Sequence, residues 1–257
     1  MSRPRIVMVA GDSESTRIIY HALKPHFEIS RVLIEDPYPQ LKIIRNRCKR
    51  LGTVTVAGQL AFRAGAVPLL RSWAKSRSDA IRASHGLSTE KVPPGVRHAV
   101  KSVNSRTCVS LVNDADPDVV LVNGTRIISA RMIEKIQAPM INTHAGITPQ
   151  YRGVHGGYWA LASGKREDCG VTVHRIDPGV DTGEVLAQAL IEPTTEDCFV
   201  TYPLLQTAAA IPLLVDVIGK LARGTEIQFP PSGGPSKQWF HPTLQEYLFS
   251  WFLAGVR

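Results

Sequence analysis

What this sequence lacks narrows it before any motif is read. Its four cysteines, Cys48, Cys108, Cys169 and Cys198, form no C-x-x-C pair and stand near no second ligand at zinc spacing. Neither a metal site nor a disulfide scaffold is therefore expected, and the thiols read as reduced groups of a cytoplasmic protein. No run of about eighteen apolar residues is free of charge or proline, so no membrane span is expected. After Met1-Ser2-Arg3-Pro4-Arg5 only about five apolar residues precede Gly11 and Asp12. A secretory leader needs roughly seven to fifteen. Repeats and low-complexity runs are absent. The turn after the first apolar run holds a single glycine, so the G-x-G-x-x-G fingerprint is missing and a nicotinamide cofactor is not expected.

What is present is an ordinary globular composition, 44% hydrophobic and 20% charged over 257 residues. That length holds one large α/β domain or a domain with a small appendage. The net charge is +8, and its distribution matters more than its sum. Arg45, Arg47, Lys49 and Arg50 crowd one segment, followed by Arg63, Arg71, Lys75, Arg77 and Arg82. Such a set is first read as a solvated helix face and second as a lure for an anionic small molecule. RNA is less expected, because aromatics are not interleaved with the basic residues.

Short apolar runs at Arg5–Ala10, Glu28–Ile34, 118–122, 140–144, Gly170–Ile176 and 185–191 read as strands. Helices are expected over Ser15–Leu23, 41–45, Ser105–Asp114, Ala130–Ile136 behind a Ser129 cap, and from Gly156. A long helix fits 198–221, bent or broken at Pro203 and Pro212. Thr53–Val56 reads as a short strand or a loop. Residues 58–84 carry apolar positions three and four apart and read as an amphipathic insert interrupted at Pro68, with a loop running on to Val96. This insert can cover the sheet, supply a homodimer contact or shape a pocket. Residues 224–235 read as irregular, and an aromatic tail from Trp239 to Phe252 is expected to dock on the domain or a second subunit. The whole is expected to be α/β, Rossmann-like, with a mostly parallel twisted sheet flanked by helices over 1–222 and a short C-terminal extension over 223–257.

The candidate chemistry lies between Ile141 and Gly183. In an extended strand Asn142 and His144 share a face while Thr143 points away, and Ala145-Gly146 let the chain turn out. Asp181 returns on the later turn Gly179-Val180-Asp181-Thr182-Gly183. An amide, an imidazole and a carboxylate brought to one strand mouth suit acyl transfer: the amide holds an oxyanion, the imidazole polarises or shuttles a proton, and the carboxylate sets its charge. Each alone is more often a satisfied polar group than a catalyst; together they reverse those odds. His174 lies inside an expected strand and reads as structural. Arg152 either positions an anionic substrate or packs its loop, and His155 follows on the same loop.

Four ordered pieces, Ile141-Asn142-Thr143-His144, Thr148-Pro149-Gln150-Tyr151-Arg152-Gly153, Gly170 to Asp177 and Gly179 to Gly183, resemble the formyltransferases that use 10-formyltetrahydrofolate. The resemblance covers roughly Pro117 to Leu190. It implies that Asn142 donates to an oxyanion, that His144 polarises the formyl group as a cation, and that Asp181 orients and charges His144. It places the folate at Gly124, Arg126, Ile127, Ile128 and Val180. It leaves Gly11, Arg152 and His155 as candidate contacts of the acceptor. No metal is implied.

Two departures shape the expected acceptor. Many relatives carry His-Pro-Ser where this chain has His144-Ala145-Gly146, and the first turn lacks the Gly-Ser-Asn phosphate cradle of the glycinamide ribonucleotide enzymes. About 65 residues follow Ile191, the first of them helical, which does not fit the C-terminal barrel usual in methionyl-tRNA formyltransferases. A small-molecule amine, such as a nucleotide-linked amino sugar, is the acceptor expected by exclusion. A non-catalytic folate-binding relative is the competing class.

Overall fold

The computed structural model describes residues 3–229 and 234–257. The chain runs β1 (Arg5–Gly11), α1 (Glu14–Leu23), β2 (Glu28–Glu35), α2 (Gln40–Leu51), α3 (Thr53–Ala61), a π-helical turn (Phe62–Ala66), α4 (Val67–Trp73), α5 (Lys75–Ser84), β3 (Arg97–Val100), α6 (Arg106–Asn113), β4 (Val119–Asn123) and α7 (Ala130–Ile133). It continues with β5 (Met140–His144), β6 (Arg152–Gly153), α8 (Gly156–Ala162), β7 (Gly170–Arg175), β8 (Val185–Leu190), α9 (Tyr202–Ala222), β9 (Gln238–Trp239) and α10 (Leu244–Ala254).

Seven strands form one sheet in the order β3-β2-β1-β4-β5-β7-β8. β3 through β5 pair in parallel; β7 runs antiparallel to β5, and β8 antiparallel to β7. Central strands covered on both faces must be apolar along their buried length, as residues 6–10 of β1 and 119–122 of β4 are. Ile6, Met8, Val119 and Leu121 face α1 and α9, packing with Leu23, Leu214 and Ile218. Val7, Val9, Val120 and Val122 face α6 and α7, packing with Cys108, Val112 and Met132. The order of strands reverses at β1 and β4. Ligands of open α/β sheets bind at such switch points, beyond the carboxyl ends of the strands.

The helical layer differs most from its sequence pattern. Thr53–Val56 opens α3 rather than forming a strand or loop, because only Val56 of the four is buried. Helix continues through Pro68 and breaks at Ala74 instead. Proline has no N–H to return to the carbonyl four residues back, and the π turn Phe62–Ala66 just before it, closed by Val67 N to Phe62 O, absorbs that loss. α7 ends at Ile133, three residues early, and Ser129 makes no side-chain cap bond. β3 is an edge strand the pattern did not reveal.

Two helical stretches are long and apolar enough to cross a membrane by length and composition, Thr53–Trp73 and Tyr202–Ala222, and each carries proline and charge. The second is α9, uninterrupted by Pro212, whose Leu214, Val217 and Ile218 pack under the sheet. The first packs on an aromatic cluster through Phe62 and Val67 and leaves Leu69 and Trp73 exposed.

Of the irregular stretch expected at 224–235, residues 230–233 lie outside the described residues, as do the first two of the N-terminal stretch judged not to be a leader; 224–229 carry no helix or strand. The aromatic tail docks on the domain. β9 pairs with β6, Trp239 stacks on Trp159 with ring centroids 4.8 Å apart, and Trp159 Nε1 donates to Phe240 O at 2.8 Å. α10 carries a capping box of Thr243 and Glu246 and joins Tyr247 to Phe62, Tyr158 and Phe199 in an aromatic cluster.

Candidate functional site

Register does what spacing alone could not. β5 runs antiparallel to β7 with Asn142 opposite His174 and His144 opposite Thr172. The His174 side chain therefore lies on the face that carries Asn142. Its Nδ1–H donates to Arg175 O at 2.7 Å, so in the neutral ring Nε2 accepts from Asn142 Nδ2 at 3.2 Å. One amide hydrogen of Asn142 is thereby used, and the other is left for a ligand oxygen. His174, read from sequence as structural, stands inside the constellation.

Asp181 completes it. Its Oδ2 lies 3.3 Å from His144 Nδ1 and accepts from Gly153 N at 2.9 Å, and its Oδ1 lies 3.6 Å from His174 Nε2. The residue takes a left-handed φ of 51°, which aspartate tolerates better than most. Its loop is pinned from both sides: Arg152 Nη1 donates to Val180 O at 2.9 Å, and Thr182 Oγ1 donates to the Asp177 carboxylate at 2.8 Å. At Gly183 a Cβ would fall 1.8 Å from Arg175 O, so only glycine lets the loop close on β7. Arg152 also donates to Ser236 Oγ at 2.9 Å and lies outside the cavity lining. The structure takes the packing side of the alternative left open for it.

Burial pushes the Asp181 carboxyl up, but the neighbouring His174 and His144 rings and the Gly153 N–H outweigh it and hold it below the usual carboxylate range. Burial pushes His144 down, and Asp181 and the Tyr151 carbonyl oppose without cancelling it. Nε2 of His144 donates to Tyr151 O at 2.6 Å. The ring expected to be a cation is thus neutral at neutral pH before a substrate arrives, since an imidazolium enclosed this deeply loses more hydration than one carboxylate at 3.3 Å returns.

Asn142, His144, His174 and Asp181 line a cavity of about 420 Å³ beyond the carboxyl ends of β4 and β5. The same lining includes four of the five expected folate contacts, Gly124, Arg126, Ile127 and Ile128, and the fifth, Val180, in the Asp181 loop. Gly124 turns the chain out of β4 at a φ of 66°. Arg126 is not a free cation: it pairs with Glu35, and its Nη2 donates to Asp36 O at 2.9 Å. Sequence reasoning missed Trp239, Phe240 and His241, which bring the tail into the lining. Only its aromatic content signalled that role. Gly11 lies outside the lining of this cavity and of the adjoining one. A Cβ there would lie 2.7 Å from Gly124 O, so this glycine permits the close passage of the β1 and β4 turns rather than a ligand. Among the described residues no group of three His, Cys, Asp or Glu side chains is placed to hold a metal.

His155 belongs to an adjoining cavity. Its Nε2 lies 2.8 Å from His241 Nδ1, so one proton bridges the two rings. Burial, then the charge of neighbouring groups including Arg47, pushes His155 down to about 3 and His241 down to about 4. Unfolded, each titrates near 6.5, so the unfolded chain binds more protons below that pH. Stability is expected to be full above about pH 6.5 and to fall toward pH 4, with a slope approaching about 2.7 kcal/mol per pH unit for two protons. Urea midpoints from pH 7.5 to 4.5 read this slope together with the share of buried His144, and His241→Gln should remove about one proton's worth, about 1.4 kcal/mol per pH unit. An unchanged slope in that variant would contradict the assignment.

A family model described as Formyl transferase matches residues 75–203, just over half of the chain. The chain belongs to the formyl transferase family. It is 28% identical over 205 residues to the methionyl-tRNA formyltransferase of Pelotomaculum thermopropionicum, covering 72% of this chain and 64% of that protein. With the methionyl-tRNA formyltransferase of Koribacter versatilis it shares 36% identity over 115 residues, covering 44% of this chain and 36% of that protein. The chain thus spans less than two thirds of the length of these curated relatives. Among solved structures, phosphoribosylglycinamide formyltransferase from Streptococcus pneumoniae TIGR4 superposes with a TM-score of 0.52 at 18% identity, over 85% of this chain and 98% of that one. A sugar N-formyltransferase from Shewanella sp. FDAARGOS_354 superposes with a TM-score of 0.55 at 13% identity, over 91% and 76%. These formyl transferase structures share the fold, and the strand order and flanking helices agree with the Rossmann-like expectation.

Proposed function

We propose that the protein moves a formyl group from 10-formyltetrahydrofolate to the primary amine of a small molecule, with nucleotide-linked amino sugars as the first acceptors to try. The observation that carries this reading is the ionised Asp181 held between two imidazoles beside Asn142. The donor suits this lining. A flat pterin needs close backbone approach and apolar cover, which Gly124, Ile127, Ile128 and Val180 supply. The cavity, at about 420 Å³, is also of a size that takes a small-molecule ligand. When bound, the donor supplies an activated one-carbon carbonyl.

The free amide hydrogen of Asn142 meets the carbonyl oxygen as negative charge develops on it, a contact typically worth about 3–4 kcal/mol. Asp181 takes up the proton that the attacking amine sheds, directly or through a water, and the Asp181–His144 pair gives a proton to the leaving nitrogen as its bond to the formyl carbon breaks. His144 accepts part of that charge through Nδ1 and becomes imidazolium only once the proton has entered the pair. Its Nε2, held by Tyr151 O, keeps the ring from turning away. His174 aims the Asn142 amide.

The test is release of tetrahydrofolate from 10-formyltetrahydrofolate with a panel of amines: nucleotide-linked amino sugars, glycinamide ribonucleotide and charged initiator tRNA. Release with a small phosphorylated amine is expected. A second reading, formylation of an amine borne on tRNA, is favoured by the names of the curated relatives, and release with tRNA alone would replace the first. Neither release nor donor binding would leave a repurposed scaffold.

A further inference from the structure

The basic residues divide once placed on the fold. Lys75, Arg77 and Arg82 are each paired with carboxylates. Arg47, Arg63 and Arg71 have no ion pair or hydrogen bond among the described residues, and all three line a second cavity, of about 340 Å³. This cavity is a groove between α2, which buries none of its residues, and the run from α3 through the π turn into α4. One face of α2 (Gln40, Ile43, Ile44, Arg47) looks across at Val56, Gln59, Leu60 and Arg63, both sets at helical spacing. No acidic side chain lines it. The neutral His155–His241 pair also lines it and adds hydrogen-bonding capacity without a competing charge.

The groove is continuous with the formyl site, because Arg47, Gln59 and His241 line both cavities. Gln59 marks the junction. It is 5% exposed, its Nε2 donates to His241 O at 2.8 Å, and its Oε1 is buried with no donor. A buried acceptor left unpaired costs about 1–3 kcal/mol. An N–H or O–H of a molecule passing between the cavities would satisfy it. Arg47 is half-buried, and its guanidinium pKa is lowered by that burial and by the charge of Arg63. Two unneutralised cations held this way are relieved by an anion between them. All three arginines lie outside the residues matched to the family, so this set is a feature of the chain's own α2–α4 layer.

We propose that Arg47, Arg63 and Arg71 form the subsite for a phosphate or diphosphate group on the acceptor, whose amine reaches Asp181 past Gln59. Ile43, Ile44 and Leu60 then cover the organic body of the acceptor between its charged end and its amine. The inference rests on the formyl-transfer reading for the identity of the amine, but the anion site stands or falls by itself. Three arginines lining one groove match the multiple charge of a phosphate or diphosphate better than that of a single carboxylate.

Inorganic pyrophosphate tests it without any turnover. Calorimetric titration of the full chain is expected to show one site, with Kd at least tenfold weaker in Arg63→Gln/Arg71→Gln and unchanged in Arg45→Gln, which lies outside the groove. Because Arg63 and Arg71 are exposed, the double variant should keep the wild-type melting temperature, separating lost binding from lost fold. With the acceptor found in the amine panel, the same variant should raise KM for the acceptor and leave KM for the donor unchanged. Wild-type protein that binds no pyrophosphate, or a double variant that binds it as well as wild type, would overturn the subsite while leaving formyl transfer to its own assay. Displacement of pyrophosphate by single-stranded RNA far more tightly than by nucleoside diphosphates would also overturn it, assigning the groove to a nucleic-acid backbone.

Discussion

Asp181→Asn is expected to lower kcat by about 10²- to 10⁴-fold, the usual span for removal of a positioned proton acceptor. The substitution is close to isosteric, and asparagine tolerates the left-handed φ of 51° as aspartate does. Its carbonyl oxygen can still accept from Gly153 N, which now lies 2.9 Å from Oδ2, so the loop keeps its anchor. What is lost is the charge facing His144 and His174. The melting temperature at pH 7.5 should move by only a few degrees, and donor binding should survive. The acid response gives an independent reading. The folded pKa of Asp181 is depressed, so its contribution to stability is present above about pH 3.9 and is lost as pH falls through the lower, folded value. The variant should therefore lose less stability than wild type in that acid range. Turnover at the wild-type rate in Asp181→Asn would remove the carboxylate from the mechanism.

Gly146→Ala is expected to destabilise the fold by about 1–3 kcal/mol, the usual range for overpacking, and to cut kcat with it. A Cβ at Gly146 would lie 2.5 Å from Tyr151 O, 2.8 Å from His144 Nε2 and 3.0 Å from the Cα of Gly156. Those first two atoms make the hydrogen bond that fixes the His144 ring. Two of the three obstacles are backbone, so neither a rotamer change nor a small side-chain shift relieves the contact. Gly146→Ser, which restores the residue many relatives carry, should be no better tolerated. The departure at His144-Ala145-Gly146 is therefore built into this chain's packing, where Gly146 and Gly156 lie back to back. Urea midpoints together with kcat for both variants check this. A serine variant with wild-type stability and rate would show that the turn yields where the geometry says it cannot.

How much of this was legible in the sequence depends on whether the information was local. The buried parallel strands could be read because burial on both faces forces an unbroken apolar run, as in Ile6–Ala10 and Val119–Val122. Asn142 and His144 could be paired because strand alternation is a two-residue rule. His174 could not, since its place depends on the register of β7 against β5, more than twenty residues away in sequence. Thr53–Val56 is β-branched and reads as a strand, yet the groove beside α2 leaves most of it exposed on a helix, where tertiary context outweighs propensity. Pro68 reads as a break, but a π turn costs less here than ending the helix. Gly11 was recognisable as a special position and its partner was not: the atom it makes room for is Gly124 O. The sign of the His144 charge was out of reach as well, because it turns on depth of burial.

The measurement that tests the central claim most directly is a single-turnover experiment with 10-formyltetrahydrofolate labelled in the formyl carbon, run with excess protein and the amine that supports tetrahydrofolate release. The site described here predicts that the label appears as an N-formyl group on that amine, quickly in wild type and about 10²- to 10⁴-fold more slowly in Asp181→Asn. Label recovered as formate at an amine-independent rate would mean that water is the acceptor. Label recovered in the amide at equal rates in both proteins would mean that the proton leaves by a route other than Asp181.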